Sequence, residues 1–280
     1  MPHMANFGIG TRTYGVEIEL AGLTTAQAAD ALRAAGVACR AETYNHDPRP
    51  TWKAVPDGSV PGGCEVVSPV LSGPEGFREI ETVCAALRAA GATVNRTTGL
   101  HVHLGARDLS LDAVKRLLKN WAKFEDTIDL LVAPSRRADA NGFCRSIVGR
   151  FGAVGSEAER CATIRTAFAK IDAATTLREL FGLFASRYYK LNLEAFWRHG
   201  TIEVRQHHGT LDAAKIINWI ELMGALFEAS SVARSVAVRP VNGQTPKFRF
   251  KWLFNMTVQG APRRFWSRRM RELERGRGAA

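Results

Sequence analysis

The chain has 280 residues, 46% of them hydrophobic and 23% charged, which fits a soluble globular protein with a core of ordinary size and excludes collagen-like and low-complexity classes. The net charge is +11, and nearly all of it lies from Arg234 onward, where ten arginines and two lysines face only Glu272 and Glu274. No apolar run approaches a membrane span, MPHMANFGIG lacks the pattern of a signal peptide, and Cys39, Cys64, Cys84, Cys144 and Cys161 are scattered without CxxC spacing. The sequence therefore reads as cytoplasmic, without a disulfide framework or structural zinc.

In chain order, TYGVEIEL (13–20) alternates like a strand, and TAQAADALRAA (25–35) reads as a capped helix stopped by Gly36. A strand follows from Val37. CEVVS (64–68) is a strand, a helix runs from Pro74 to Ala90, and Ala92–Arg96 reads as a further strand. TGLHVHLG (98–105) is a strand with two histidines, and Ser110 caps a long helix through Leu131. Residues 134–160 read as a long mobile loop, a candidate substrate lid. Strands are expected at Tyr188–Leu193 and Thr201–His207, and a helix from Leu211 to about Val236. This order predicts α+β with a largely antiparallel sheet, one domain over 1–238 and a basic C-terminal extension over 239–280. The extension mixes Arg and Lys with Phe and Trp, which makes a polyanion a candidate partner.

Polar residues recur at period two on four of these strands. Glu17 and Glu19 share a face, Glu65 stands in EVVSP, His101 and His103 share a face about 6–7 Å apart, and Glu203, Arg205 and His207 share another. A solvated sheet face would show Lys, Thr, Ser and Gln; this one shows Glu, His and Arg. If the strands are neighbours, so many carboxylates cannot all stay ionised without cations between them. Oxygen ligands with one or two imidazoles suit Mg²⁺ or Mn²⁺, and Arg205 adds a planar fork suited to phosphate. Walker, dinucleotide and kinase glycine motifs are all missing. Lys190 and Asn192 share a strand face in YYKLNL and are candidate nucleotide or substrate contacts.

YGVEIE, DGS (57–59) with CEVVSP, TGLHVHLG, YYKLNL and TIEVRQHHGTLD followed by NWI together resemble, in order over about residues 13–222, the amidoligase family of the carboxylate-amine ligases. The resemblance implies a glutamine synthetase-like fold, a curved, largely antiparallel sheet forming a funnel with helices packed outside. It implies ATP-dependent formation of an amide or isopeptide bond from carboxylate and amine substrates, small or peptidic, through an acyl phosphate. It places Glu19 and Glu65 around one metal, with Asp57 the best candidate for a third ligand, and Glu17, His101 and Glu203 around a second. Arg205 corresponds to the phosphate-contacting arginine, and His103 and His207 fall in the second shell or near the substrate. The alternative is a basic binding or scaffold protein that keeps the fold without turnover.

Overall fold

The computed structural model describes residues 9–232 and 245–276. Its strands are β1 (Tyr14–Ala21), β2 (Cys39–Ala41), β3 (Trp52–Pro56), β4 (Gly63–Val67), β5 (Gly99–Gly105), β6 (Leu191–Asn192) and β7 (Thr201–His208). Its α-helices are α1 (Thr25–Ala34), α2 (Gly73–Ala89), α3 (Leu111–Asp129), α4 (Glu157–Ala173), α5 (Leu177–Gly182), α6 (Ala195–His199), α7 (Ala213–Val232), α8 (Pro246–Met256) and α9 (Gly260–Glu274). The architecture is mixed, with one seven-stranded sheet in the order β2-β3-β4-β1-β5-β7-β6. The described residues divide into two compact units, a sheet unit of Thr11–Gly105 with Glu203–Ile220, and a mainly helical unit of Ala106–Ile202 with Ile9, Gly10 and the described residues from Glu221 onward. The expected boundary near residue 238 lies outside the described residues.

In the sheet unit β1 is the central strand, antiparallel to both β4 and β5, while β3 pairs antiparallel with β4 and β2 runs parallel to β3. One side of these strands is apolar: Val16, Ile18, Leu20, Val66, Leu100, Val102 and Leu104 are buried. Helix α1 packs on β2, β3 and β4 and against α2, and Thr24 and Gln27 close a capping box that fixes its start. Period-two alternation then forces Glu17, Glu19, Glu65, His101 and His103 onto the opposite side. The five cysteines are buried and free, and burial pushes the Cys64 and Cys84 thiols up to about 12, which leaves them inert as nucleophiles.

Gly63 secures the register that places Glu65. A Cβ at this position would stand 2.1 Å from the Leu20 carbonyl oxygen and 2.7 Å from the Val60 side chain, so only glycine lets β4 close on β1. Gly63→Ala is expected to cost about 1–3 kcal/mol by overpacking, read as a lower denaturation midpoint. An unchanged midpoint would show that the strand tolerates the displacement.

Two expectations change. Ala92–Arg96 makes only a single bridge, Ala21 to Thr93, rather than a strand, and the strand expected over Tyr188–Leu193 narrows to β6. In the helical unit, the expected loop over 134–160 contains two 3₁₀ turns and the start of α4. It is pinned by Glu125 of α3, which accepts hydrogen bonds from the Ser146 hydroxyl and the Ile147 amide, and by Asp129, which accepts from the Ala138 amide. The chain beyond residue 245 forms α8 and α9, whose inner side buries Arg249, Phe254 and Trp266. Arg249 ion-pairs with Asp126 of α3 and Glu157 of α4, tying α8 to both helices.

Candidate active site

The polar side of the sheet unit is built around Glu17. Across β1 and β5, Glu17 stands opposite His101; across β1 and β4, Glu19 stands opposite Glu65. Directly opposed carboxylates repel at such spacing, yet here the crowding is reinforced from a third strand. A hydrogen bond from the Gly209 amide to the Thr98 carbonyl ties the end of β7 to the start of β5, and β7 delivers Glu203 so that its Oε1 lies 3.6 Å from His101 Nδ1.

Hydrogen bonds hold the cluster. His101 Nδ1 meets Glu17 Oε2 at 3.0 Å and His103 Nε2 meets Glu17 Oε1 at 3.2 Å, so one carboxylate orients both imidazoles. The Gly99 amide donates to Glu19 Oε2 at 2.6 Å, and the Arg205 guanidinium donates to Glu203. Asp57 accepts from the Ser59 amide at 2.7 Å, the turn that Asp-Gly predicts, and its carboxylate still reaches Glu19 and Glu65.

The charges do not balance, and their surroundings push the carboxyls in opposite directions. Burial opposes ionisation of Glu17, but His103 and His101 outweigh it and hold the carboxyl well below its usual range. Glu65 has no such partner: burial, then Glu17, Glu19, Asp57 and Glu203, push it well above that range. Burial also opposes Glu203, which Arg205 and His103 hold low, while Glu17 raises His103 against its own burial. Five carboxylates, two imidazoles and one guanidinium therefore share a largely buried face in which one acid resists losing its proton.

Donor atoms converge in three overlapping triads, each with all its ligand atoms within 4.8 Å of one another: Glu19, Asp57 and Glu65; Glu17, Glu65 and His101; and Glu17, His103 and Glu203. The donor set fits a hard divalent cation, with oxygen predominating, imidazole second and no thiolate. The geometry thus brings together every residue expected around a metal, admits Asp57, and moves His103 from the periphery to a candidate ligand. His207 joins none of the triads. It is wholly buried, stacked on His208 with ring centres 4.3 Å apart and 5.0 Å from Trp219.

Lys190 and Asn192 belong to the helical unit, and here the expectation of a nucleotide contact requires correction for Lys190. Its side chain has no exposed surface, and its ammonium lies 2.7 Å from Asp129 and 3.3 Å from Glu125, so its charge is committed to buried acids. Asn192 accepts the Glu194 amide at 3.0 Å. A residue that the sequence did not single out is Lys53, opposite Val67 on the polar side of β4. Buried, it donates to the Asn45 and Asp47 carbonyls and the Asn45 side chain, fastening the loop before β3.

Residues 10–227 match the family described as "Putative amidoligase enzyme", and the chain belongs to that family. No curated protein matches the chain. Among solved structures, a bifunctional glutathione synthetase from Pasteurella multocida is similar over 95% of this chain and 47% of that one, at 12% identity and a TM-score of 0.41. The chain thus spans less than half the length of that protein. Among the described residues, no helix is long and apolar enough to cross a membrane.

Proposed function

We propose that the protein is an ATP-dependent carboxylate-amine ligase that forms an amide or isopeptide bond through an acyl phosphate. The observation that carries this reading is the convergence of Glu17, Glu19, Asp57, Glu65, Glu203 and two histidines, with Arg205 alongside, in a chain of the amidoligase family. Glu19, Asp57 and Glu65 would hold one Mg²⁺ or Mn²⁺, and Glu17, Glu203 and His101 or His103 a second. Cations held there would supply charge neutralisation for phosphate oxygens.

The substrate carboxylate attacks the γ-phosphorus and the bond to the leaving ADP breaks. The amine nitrogen then attacks the acyl carbon, phosphate leaves, and the nitrogen gives up a proton. Arg205, its guanidinium oriented by Glu203, presents a fixed fork to the phosphoryl oxygens. His101 and His103 are aimed by Glu17, and the positive charge that Glu17 favours on His103 makes it a proton holder when it is not a ligand. With hydroxylamine replacing the unidentified amine, the protein, ATP, Mg²⁺ and a panel of amino-acid and peptide carboxylates should yield a hydroxamate, with ADP and phosphate released in step. AMP and pyrophosphate as products would refute the mechanism.

Cation affinity carries a further expectation. Glu65 keeps its proton above the usual carboxylate range and His103 keeps its own above the usual imidazole range, and a cation must displace both protons. Affinity for Mn²⁺ should therefore rise with pH from above the usual carboxylate range to beyond the usual imidazole range, with protons released on binding. Calorimetry in buffers of different ionisation enthalpy measures that release, and pH-independent binding without it would remove these residues from the site.

A further inference from the structure

We infer that the exposed face of α9 is a docking surface for the phosphate backbone of duplex DNA. Arg264, Arg268, Arg271 and Arg275 are all exposed, and their spacing of four, three and four residues keeps them within about 60° of arc and spreads them over about 16 Å of helix and its C-cap. The opposite face buries Trp266, Arg269 and Leu273, so the arginines are held outward by a packed helix and not by a loose tail. The acids that could neutralise them are engaged elsewhere or weakly: Glu274 pairs with Lys247 of α8 at 2.8 Å, and Glu272 stands 3.8 Å from Arg268 and from Arg269. Arg264, Arg271 and Arg275 have no ion pair among the described residues.

The occupant follows from what the face offers. Four guanidiniums in a row with no exposed large apolar residue on the helix suit a polyanion bound by its charges. An amphipathic membrane helix needs a free apolar face, and the apolar face of α9 is already buried. Single strands are gripped by aromatic stacking as well as charge, and on α9 Trp266 has no exposed surface while the partly buried Phe265 lies under the Arg268 guanidinium. A duplex asks only for phosphate contacts along its edge. The surface is independent of the proposed ligase site and stands or falls without it.

The test uses the full chain and a labelled 20-base-pair DNA duplex in a salt titration. If all four arginines contact phosphates, the logarithm of the association constant should fall with the logarithm of salt with a slope of about −3.6. The quadruple variant Arg264→Gln, Arg268→Gln, Arg271→Gln, Arg275→Gln should lose that slope and bind more than about a hundredfold more weakly at 0.1 M salt. The matching quadruple Arg→Lys variant, which keeps the charges, should bind nearly as the wild type does, separating lost charge from lost folding. Three results would overturn the inference: no binding by the wild type at low salt, an unchanged slope in the glutamine variant, or tighter binding to a single strand of equal length or to phosphatidylserine vesicles than to the duplex.

Discussion

Glu65→Gln is expected to abolish ATP-dependent hydroxamate formation, by roughly a thousandfold or more, while raising the melting temperature of the cation-free protein by a few degrees. The two effects share a cause. Glu65 is pushed up by burial and by four neighbouring carboxylates, so at neutral pH its ionised form is better tolerated in the unfolded chain than in the fold. A group raised in this way weakens folding at pH values above its unfolded value, and a neutral isostere removes the penalty along with the ligand. Glu17→Gln should lose activity equally but lower the melting temperature, because His103 and His101 hold Glu17 low and stabilise the fold through it. That contribution is present above the unfolded carboxylate value and fades as pH falls through the folded one. Thermal scans in chelator at neutral pH, run beside the hydroxamate assay, read both effects. If the two variants shift in the same direction, this division of labour on the sheet face is wrong.

Lys190→Met should be the most destabilising substitution among the candidate site residues, by about 3–5 kcal/mol, because it strands buried acids without their cation. Those acids are Glu125 and Asp129, and they also hold Ser146, Ile147 and Ala138 of the long loop. Adding Glu125→Gln to Lys190→Met should recover part of the loss, since one uncompensated charge is removed. The affinity for ATP per folded molecule should stay within about twofold of the wild type. A stable Lys190→Met protein with a greatly raised KM for ATP would restore the nucleotide contact suggested by the sequence.

The difference between Glu203 and Lys190 shows what a sequence can reveal here. Strand periodicity states which side chains share a side, and Glu17, Glu19, Glu65, His101 and Glu203 do lie together in the structure; their assignment to particular cations came only with the family resemblance. Periodicity does not state what lies beyond that side. Lys190 meets buried acids of α3 where solvent or nucleotide was expected, although Glu125 and Asp129, four residues apart on one helix, were a visible sign of a buried partner. Strand β3 escaped notice because Lys53 stands among apolar residues with Pro56 at the strand end, which obscures the alternation. Asp57 was ambiguous for a physical reason, since an aspartate before glycine forms a turn whether or not it also binds a cation, and here its carboxylate caps the turn while remaining within reach of Glu19 and Glu65.

The sheet unit is assembled from two stretches of chain, Thr11–Gly105 and Glu203–Ile220, with nearly a hundred residues of the other unit between them. During synthesis, β1, the Asp57 turn, β4 and β5 emerge with four of the five carboxylates and both histidines, whereas Glu203 and Arg205 follow roughly 5–20 s later at ordinary elongation rates. In that interval the nascent sheet has His101 and His103 to pair with Glu17 but lacks the Arg205 guanidinium. Closing so long a loop is slow, and the polar face has neither Glu203 nor Arg205 until β7 arrives. The order of residues along the chain thus leaves the polar face of the sheet incomplete until its last strand has been made.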